Sequence, residues 1–111
     1  MVRLETIHDL NALQQFVNEH EMVLLYVSRP NCGVCVSLLP KVEELIKQFP
    51  EIRGVHMDLS DVPELAGMYT ILSAPAILLL VKGEEVLRRA GIISVDMLEG
   101  DLQKIYTAYF H

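Results

Sequence analysis

Tryptophan is absent from these 111 residues, cysteine occurs only twice, and no apolar run is long enough to cross a bilayer. Each shortage excludes something. The two cysteines, Cys32 and Cys35, are too few and too close together for a secreted disulfide scaffold, which spreads several bridges over the chain. The longest apolar run, Ala74 to Val81, has the length of a strand. The segment Met1 to Asp9 is interrupted by charged and polar residues and lacks the apolar stretch of a signal peptide. Basic residues are also scarce: nine against fifteen acidic ones, for a net charge of −6. Phosphate recognition needs concentrated Lys and Arg, so nucleic acid is not an expected partner, and neither is a membrane.

Against these shortages stands an apolar fraction of 51%, enough to build a core in a chain of single-domain length. The expected unit is one domain, 1–111, in a reducing compartment, the cytoplasm. Its elements alternate. Arg3 to Thr6 reads as a short edge strand. From Asp9 to Glu19, Leu10, Leu13, Phe16 and Val17 recur at helical spacing, with Thr6 or Asp9 as cap. Met22 to Val27 is almost wholly apolar, as a strand covered on both faces requires. After the loop Ser28-Arg29-Pro30-Asn31, a helix is predicted from Cys32 to Phe49. Its predicted inner face is Val36, Leu39, Val42, Leu45, Ile46 and Phe49, with a kink at Pro40 and a stop at Pro50. Val55 to Leu59 reads as a strand. A short helix follows from Asp61 towards Tyr69, capped by Ser60 and with Pro63 in its first turn.

Ala76 to Val81 and Glu85 to Ala90 then make a hairpin across Lys82-Gly83-Glu84. Gly91 breaks the chain, and Ser94 caps a final helix whose inner face holds Leu98, Leu102, Ile105 and Tyr106. The predicted fold class is α/β: a central mixed sheet of four to five strands with helices on both faces.

Cys32-Gly33-Val34-Cys35 falls where a central strand ends and a helix begins. The first turn of a helix presents amide N–H groups with no intrahelical partner and a partial positive charge. A thiolate there is stabilised, so Cys32 ionises below the ordinary thiol value of about 8.5. The expected asymmetry is one exposed, reactive thiol at Cys32 and one shielded thiol at Cys35, which is what exchange chemistry needs. A Cys-x-x-Cys is also half of a zinc site. Four ligands are then required, but His8, His20, His56 and His111 are scattered and a second cysteine pair is missing. The expectation is no metal and no bound cofactor. A zinc ion bridging two chains remains an alternative.

These cysteines, Pro40 five residues beyond them, Ala74-Pro75-Ala76 before an apolar strand, and Gly91 after the hairpin occur in an order that resembles the thioredoxin family. The resemblance runs from Met22 to the last helix. It implies a thioredoxin fold and a cis peptide bond before Pro75, opposite the cysteines. It implies catalytic roles for Cys32 and Cys35, with Ala74, Pro75 and Gly91 forming the substrate-binding surface. Gly33, Val34, Arg29 and Pro40 have supporting roles. The implied activity is dithiol exchange that reduces protein disulfides, with a thiol or flavoprotein reductase completing the cycle of a monomeric protein. Departures from the family pattern favour an alternative, a binding or adaptor module with little turnover. Asn31 and Val34 stand where many thioredoxins have Trp and Pro. Tyr26 replaces a buried acid and reads as a packing residue, and Gly54 stands where a lysine would accompany that acid. His56 reads first as a packed or hydrogen-bonded side chain, and Met57 and Met68 as core. Glu84-Glu85 and Arg88-Arg89 form either cross-strand pairs or a solvated face. The aromatic tail from Tyr106 is expected to cover the sheet edge.

Overall fold

A computed structural model describes residues 4–110. The expected start of the first strand at Arg3 and the histidine His111 lie outside the described residues. In chain order the elements are β1 (Glu5–Thr6), α1 (Leu10–Glu19), β2 (Met22–Ser28), α2 (Gly33–Ile46), β3 (Ile52–Asp58), α3 (Glu64–Met68), β4 (Ala76–Val81), β5 (Glu84–Ala90) and α4 (Val95–Tyr109). The five strands form one sheet in the order β1-β3-β2-β4-β5. β3 runs parallel to β1 and β2, while β4 is antiparallel to both β2 and β5.

The unbroken apolar runs of β2 and β4 follow from their central place. Met22, Leu24 and Tyr26, with Ile77, Leu79 and Val81, pack under α2 and α4 against Val42, Leu45, Ile46, Leu98 and Leu102. The alternate residues Val23, Leu25 and Val27, with Leu78 and Leu80, pack on the other face against Leu13, Phe16, Val17 and Leu65. Each strand residue is therefore buried whichever way it points, which removes the polar alternation of a half-exposed strand.

Caps decide where helices begin. Asp9, not Thr6, caps α1, its carboxylate accepting the Ala12 N–H at 2.8 Å. Ser94 caps α4 by accepting from the Met97 N–H at 3.2 Å. Asp9→Ala is expected to lower stability by about 1 kcal/mol, readable as a shift in the urea midpoint with unchanged slope. Ser60 does not cap α3. Its N–H and hydroxyl both turn back to Asp58 Oδ1 at 2.8 and 2.6 Å, and α3 opens at Pro63 without a side-chain cap.

α2 differs most from expectation. It ends at Ile46, ahead of Phe49 and Pro50, and its buried face is Cys35, Leu38, Val42, Leu45 and Ile46. Val36 is 73% exposed, and Leu39 is only partly buried. Pro40 supplies the reason. It has no N–H for the Val36 carbonyl four residues back, so that carbonyl is best turned to water, and Val36 and Pro40 share the solvent face. Met68 is likewise exposed. The β4–β5 turn is two residues, with Lys82 at φ 51° and Gly83 at φ 82°, the left-handed pair of a type I′ hairpin.

The charged residues of β5 do not pair across strands. Arg88 reaches Glu85 on its own strand at 2.7 Å, and Arg89 reaches Asp101 on α4 at 2.6 Å. Arg88 also donates to the carbonyls of Tyr69 and Thr70, tying the loop before β4 to the sheet edge. At the C-terminal end, Tyr106 stacks edge-on against Phe49 and next to Phe110, so the tail covers the α2 face of the core.

Candidate active site

β2 delivers the chain to the site through Arg29, Pro30 and Asn31. Asn31 takes φ 58°, a left-handed conformation that Asn tolerates. The turn leaves Cys32 in extended backbone as the N-cap of α2, with its Sγ accepting the Cys35 N–H at 3.2 Å. The sulfur thus occupies the place where a capping oxygen would satisfy an orphan amide. Cys32 and Cys35 are joined by a disulfide, with Cα atoms 5.3 Å apart. Cys32 is not exposed as expected: in this state both are buried, Cys32 at 8% exposure and Cys35 at 3%, because the disulfide turns each sulfur against the other. Their difference lies in the openings they face.

Two clefts flank the disulfide. One, of about 300 Å³, is lined by Cys32, Gly33, Val34, Ala74, Pro75 and Gly91, with Arg29, Asn31 and Ile92 at its rim. The Ala74–Pro75 bond is cis, and the Pro75 carbonyl accepts the Gly91 N–H at 2.9 Å. Gly91 sits at φ 74°, where a side chain would be strained. The other cleft, of about 540 Å³, is lined by both cysteines, Ser28, Arg29, Val36, Leu39, His56 and Asp58 among others. Cys32 therefore borders both openings and Cys35 only one. Of the residues singled out in the sequence, Cys32, Cys35, Ala74, Pro75, Gly91, Gly33, Val34 and Arg29 meet here. Pro40 lies one turn beyond, within α2.

Strand register corrects one expected correspondence. The β3 residue beside Tyr26 is His56, and Gly54 lies beside Leu24. Gly54 has its own reason to be glycine: a Cβ there would overlap the Leu4 side chain and press on Ile46. Tyr26 does more than pack. It is fully buried, and its hydroxyl donates to the Cys35 carbonyl at 2.6 Å. Burial pushes the phenol up to about 12.

Ser28, His56 and Asp58 form a cluster that the sequence reading missed. Ser28 Oγ lies 2.7 Å from His56 Nε2 and 3.5 Å from Asp58 Oδ2. Burial pushes His56 below the usual histidine value, partly opposed by the charges of Asp58 and Glu43. Burial pushes the Asp58 carboxyl up. Hydrogen bonds from Ser60, the charge of His56 and the Ser28 hydroxyl outweigh it and hold the carboxyl below its ordinary range. Counting strand positions in steps of two from Tyr26 and from Gly54 would have put all three side chains on the α2 face.

The family model described as Thioredoxin matches residues 5–104. A thioredoxin-like protein, YdfQ of Bacillus subtilis, is 34% identical over 109 residues, covering 98% of this chain and 97% of that one. Among solved structures, a single-site mutant of a thioredoxin from Halobacterium salinarum superposes with a TM-score of 0.83 at 27% identity, covering 95% of this chain and 91% of that one. Thioredoxin NaTrxh from Nicotiana alata gives 0.84 at 23% identity, covering 93% and 92%.

Proposed function

This chain belongs to the thioredoxin family, and from that premise we propose that it reduces protein disulfides through Cys32 and Cys35. It is a thiol–disulfide oxidoreductase. The observation that carries the assignment of roles is the Cys32 sulfur at the N-cap of α2, within 3.2 Å of an amide N–H and bordering both clefts. In the reduced protein the Cys32 thiolate attacks one sulfur of a substrate disulfide. A mixed disulfide forms, and the other substrate sulfur leaves as a thiolate that takes a proton. Cys35 then attacks Cys32, the Cys32–substrate bond breaks, and the second substrate thiolate leaves. Two electrons pass from the cysteine pair to the substrate. An external thiol or a flavoprotein reductase returns them, so no bound cofactor takes part.

The smaller cleft is the substrate side. Its backbone at Ala74 suits an extended peptide segment, which would bind as an added strand does. Pro75 brings no N–H to compete, and Gly91 holds the Pro75 carbonyl from behind. Gly33, Val34 and Arg29 form the adjoining rim, and Val34 is exposed there. The protein works as one domain and one chain, in the cytoplasm. Paired cysteines used for exchange rather than for a scaffold support that placement. Among the described residues no helix is long and apolar enough to cross a membrane.

Insulin reduction in the presence of dithiothreitol tests the reading. The wild-type protein is expected to accelerate precipitation of the insulin B chain, and Cys32→Ser is expected to match buffer. Equal rates for wild type and Cys32→Ser would instead favour an adaptor that holds partners without turnover.

A further inference from the structure

The larger cleft lies on the side of the disulfide away from Pro75, and the substrate reading leaves it without a task. It is also the opening onto which Cys35 faces. Its polar walls are not a random sample of the surface. β2 contributes Ser28, and β3 contributes His56 and Asp58, all three from the face that looks towards α2. The His56 ring meets Tyr26 edge-on with centroids 5.5 Å apart, and the Tyr26 hydroxyl is bonded to the Cys35 carbonyl. A histidine is thus built in beside the start of α2, held on one nitrogen by Ser28, in a cavity shared with the shielded cysteine.

We propose that His56 exchanges the proton of the Cys35 thiol during substrate release, with Ser28 and Asp58 as its positioning residues. This rests on the dithiol exchange argued above. In the mixed disulfide Cys35 must lose a proton before its sulfur attacks Cys32. His56 Nδ1 takes that proton, directly or through solvent in the cleft, and becomes imidazolium. The new Cys35–Cys32 bond forms as the Cys32–substrate bond breaks, and the imidazolium proton passes on to the departing thiolate or to solvent. Ser28 selects the nitrogen. With its own proton turned to Asp58, its oxygen accepts from Nε2–H and leaves the Nδ1 lone pair free. The charged and titratable groups around His56 are Tyr26 from β2, Asp58 from β3, Glu43 from α2 and Arg29 across the cleft, while β1 presents the non-titrating Thr6. Because burial holds His56 below its usual value, the ring is neutral at pH 7 and ready to accept.

The test separates the two half-reactions. Reduced protein is mixed with a peptide carrying one internal disulfide, without added thiol, and adduct formation and release are followed by rapid quench between pH 5 and 9. In wild type, release should fall on the acid side as His56 becomes protonated. His56→Gln keeps a hydrogen-bonding group for Ser28. It should leave adduct formation unchanged, slow release by about 100-fold at pH 7, and lose the acid limb. Independently, the His56 ring followed by NMR in the wild-type protein should titrate at different pH in the oxidised and reduced forms, because only reduced Cys35 carries a proton. Release and pH profile unchanged in His56→Gln, equal slowing of both half-reactions, or identical titration in the two forms would overturn the role of His56. A wild type that forms no adduct at all would overturn the exchange reading itself.

Discussion

Cys35→Ser should hold its substrate and never let it go. Cys32 borders the cleft on the Pro75 side, so the first attack needs only that sulfur. Cys35 is absent from that cleft and is 3% exposed, so a chain docked beside Pro75 is expected to reach Cys32 first. With serine in its place the mixed disulfide has no internal nucleophile. Incubated with oxidised insulin and no other thiol, Cys35→Ser should accumulate a covalent adduct at Cys32, visible on a non-reducing gel, with turnover lost. Cys32→Ser should give neither adduct nor turnover. An adduct on Cys35 in that second variant, or full turnover by Cys35→Ser, would reverse the assignment of the two sulfurs.

Truncation of Tyr26 should produce the largest loss of stability among substitutions near the site. The side chain is fully buried under α2. Tyr26→Ala removes an aromatic ring from a close-packed interior and should cost about 3–5 kcal/mol, measured as a large drop in the guanidinium midpoint. Tyr26→Phe keeps the ring and loses only the bond to the Cys35 carbonyl, a change of about 1 kcal/mol. The pair separates packing from hydrogen bonding.

The same residue predicts an alkaline signature. Its folded value of about 12 lies above the ordinary phenol value near 10. The unfolded chain therefore gives up this proton first. The associated stability is fully present below about pH 10 and is lost as pH rises through about 12. Tyr26→Phe should flatten the alkaline fall in stability. Some slope should persist, because burial also raises Tyr69. An alkaline profile identical to wild type would show that the phenol is not buried as described.

The parts of this architecture that were legible in the sequence share a cause: each is dictated by neighbours in the chain. The capping role of Ser94 and the strands at Met22 and Ala76 needed only local composition. So did the placement of Cys32 at a strand-to-helix junction. What was not legible depended on which of several available partners or faces a residue takes in the folded chain, whether that partner is near in sequence or on another strand. Periodicity puts Val36 on the inner face of α2, but it cannot say which side of a proline-bearing helix meets water, and Val36 is exposed. Ser60 looked like a cap until Asp58, two residues back, offered a better partner. Correspondence with the family pattern puts Gly54 beside Tyr26, whereas β2–β3 pairing puts His56 there. A two-residue difference in register conceals a whole cluster, because Ser28, His56 and Asp58 meet only once two strands lie side by side.

A sulfur that serves as helix cap ties the redox cycle to the backbone at very low structural cost. When the bond to Cys35 is cut, Cys32 is expected to keep the amide it satisfies in the disulfide form, because a thiolate is a stronger acceptor for it. The two redox forms are then expected to differ by a small adjustment of the opening turn. Loss of activity over repeated cycles should then come from over-oxidation of Cys32 rather than from unfolding.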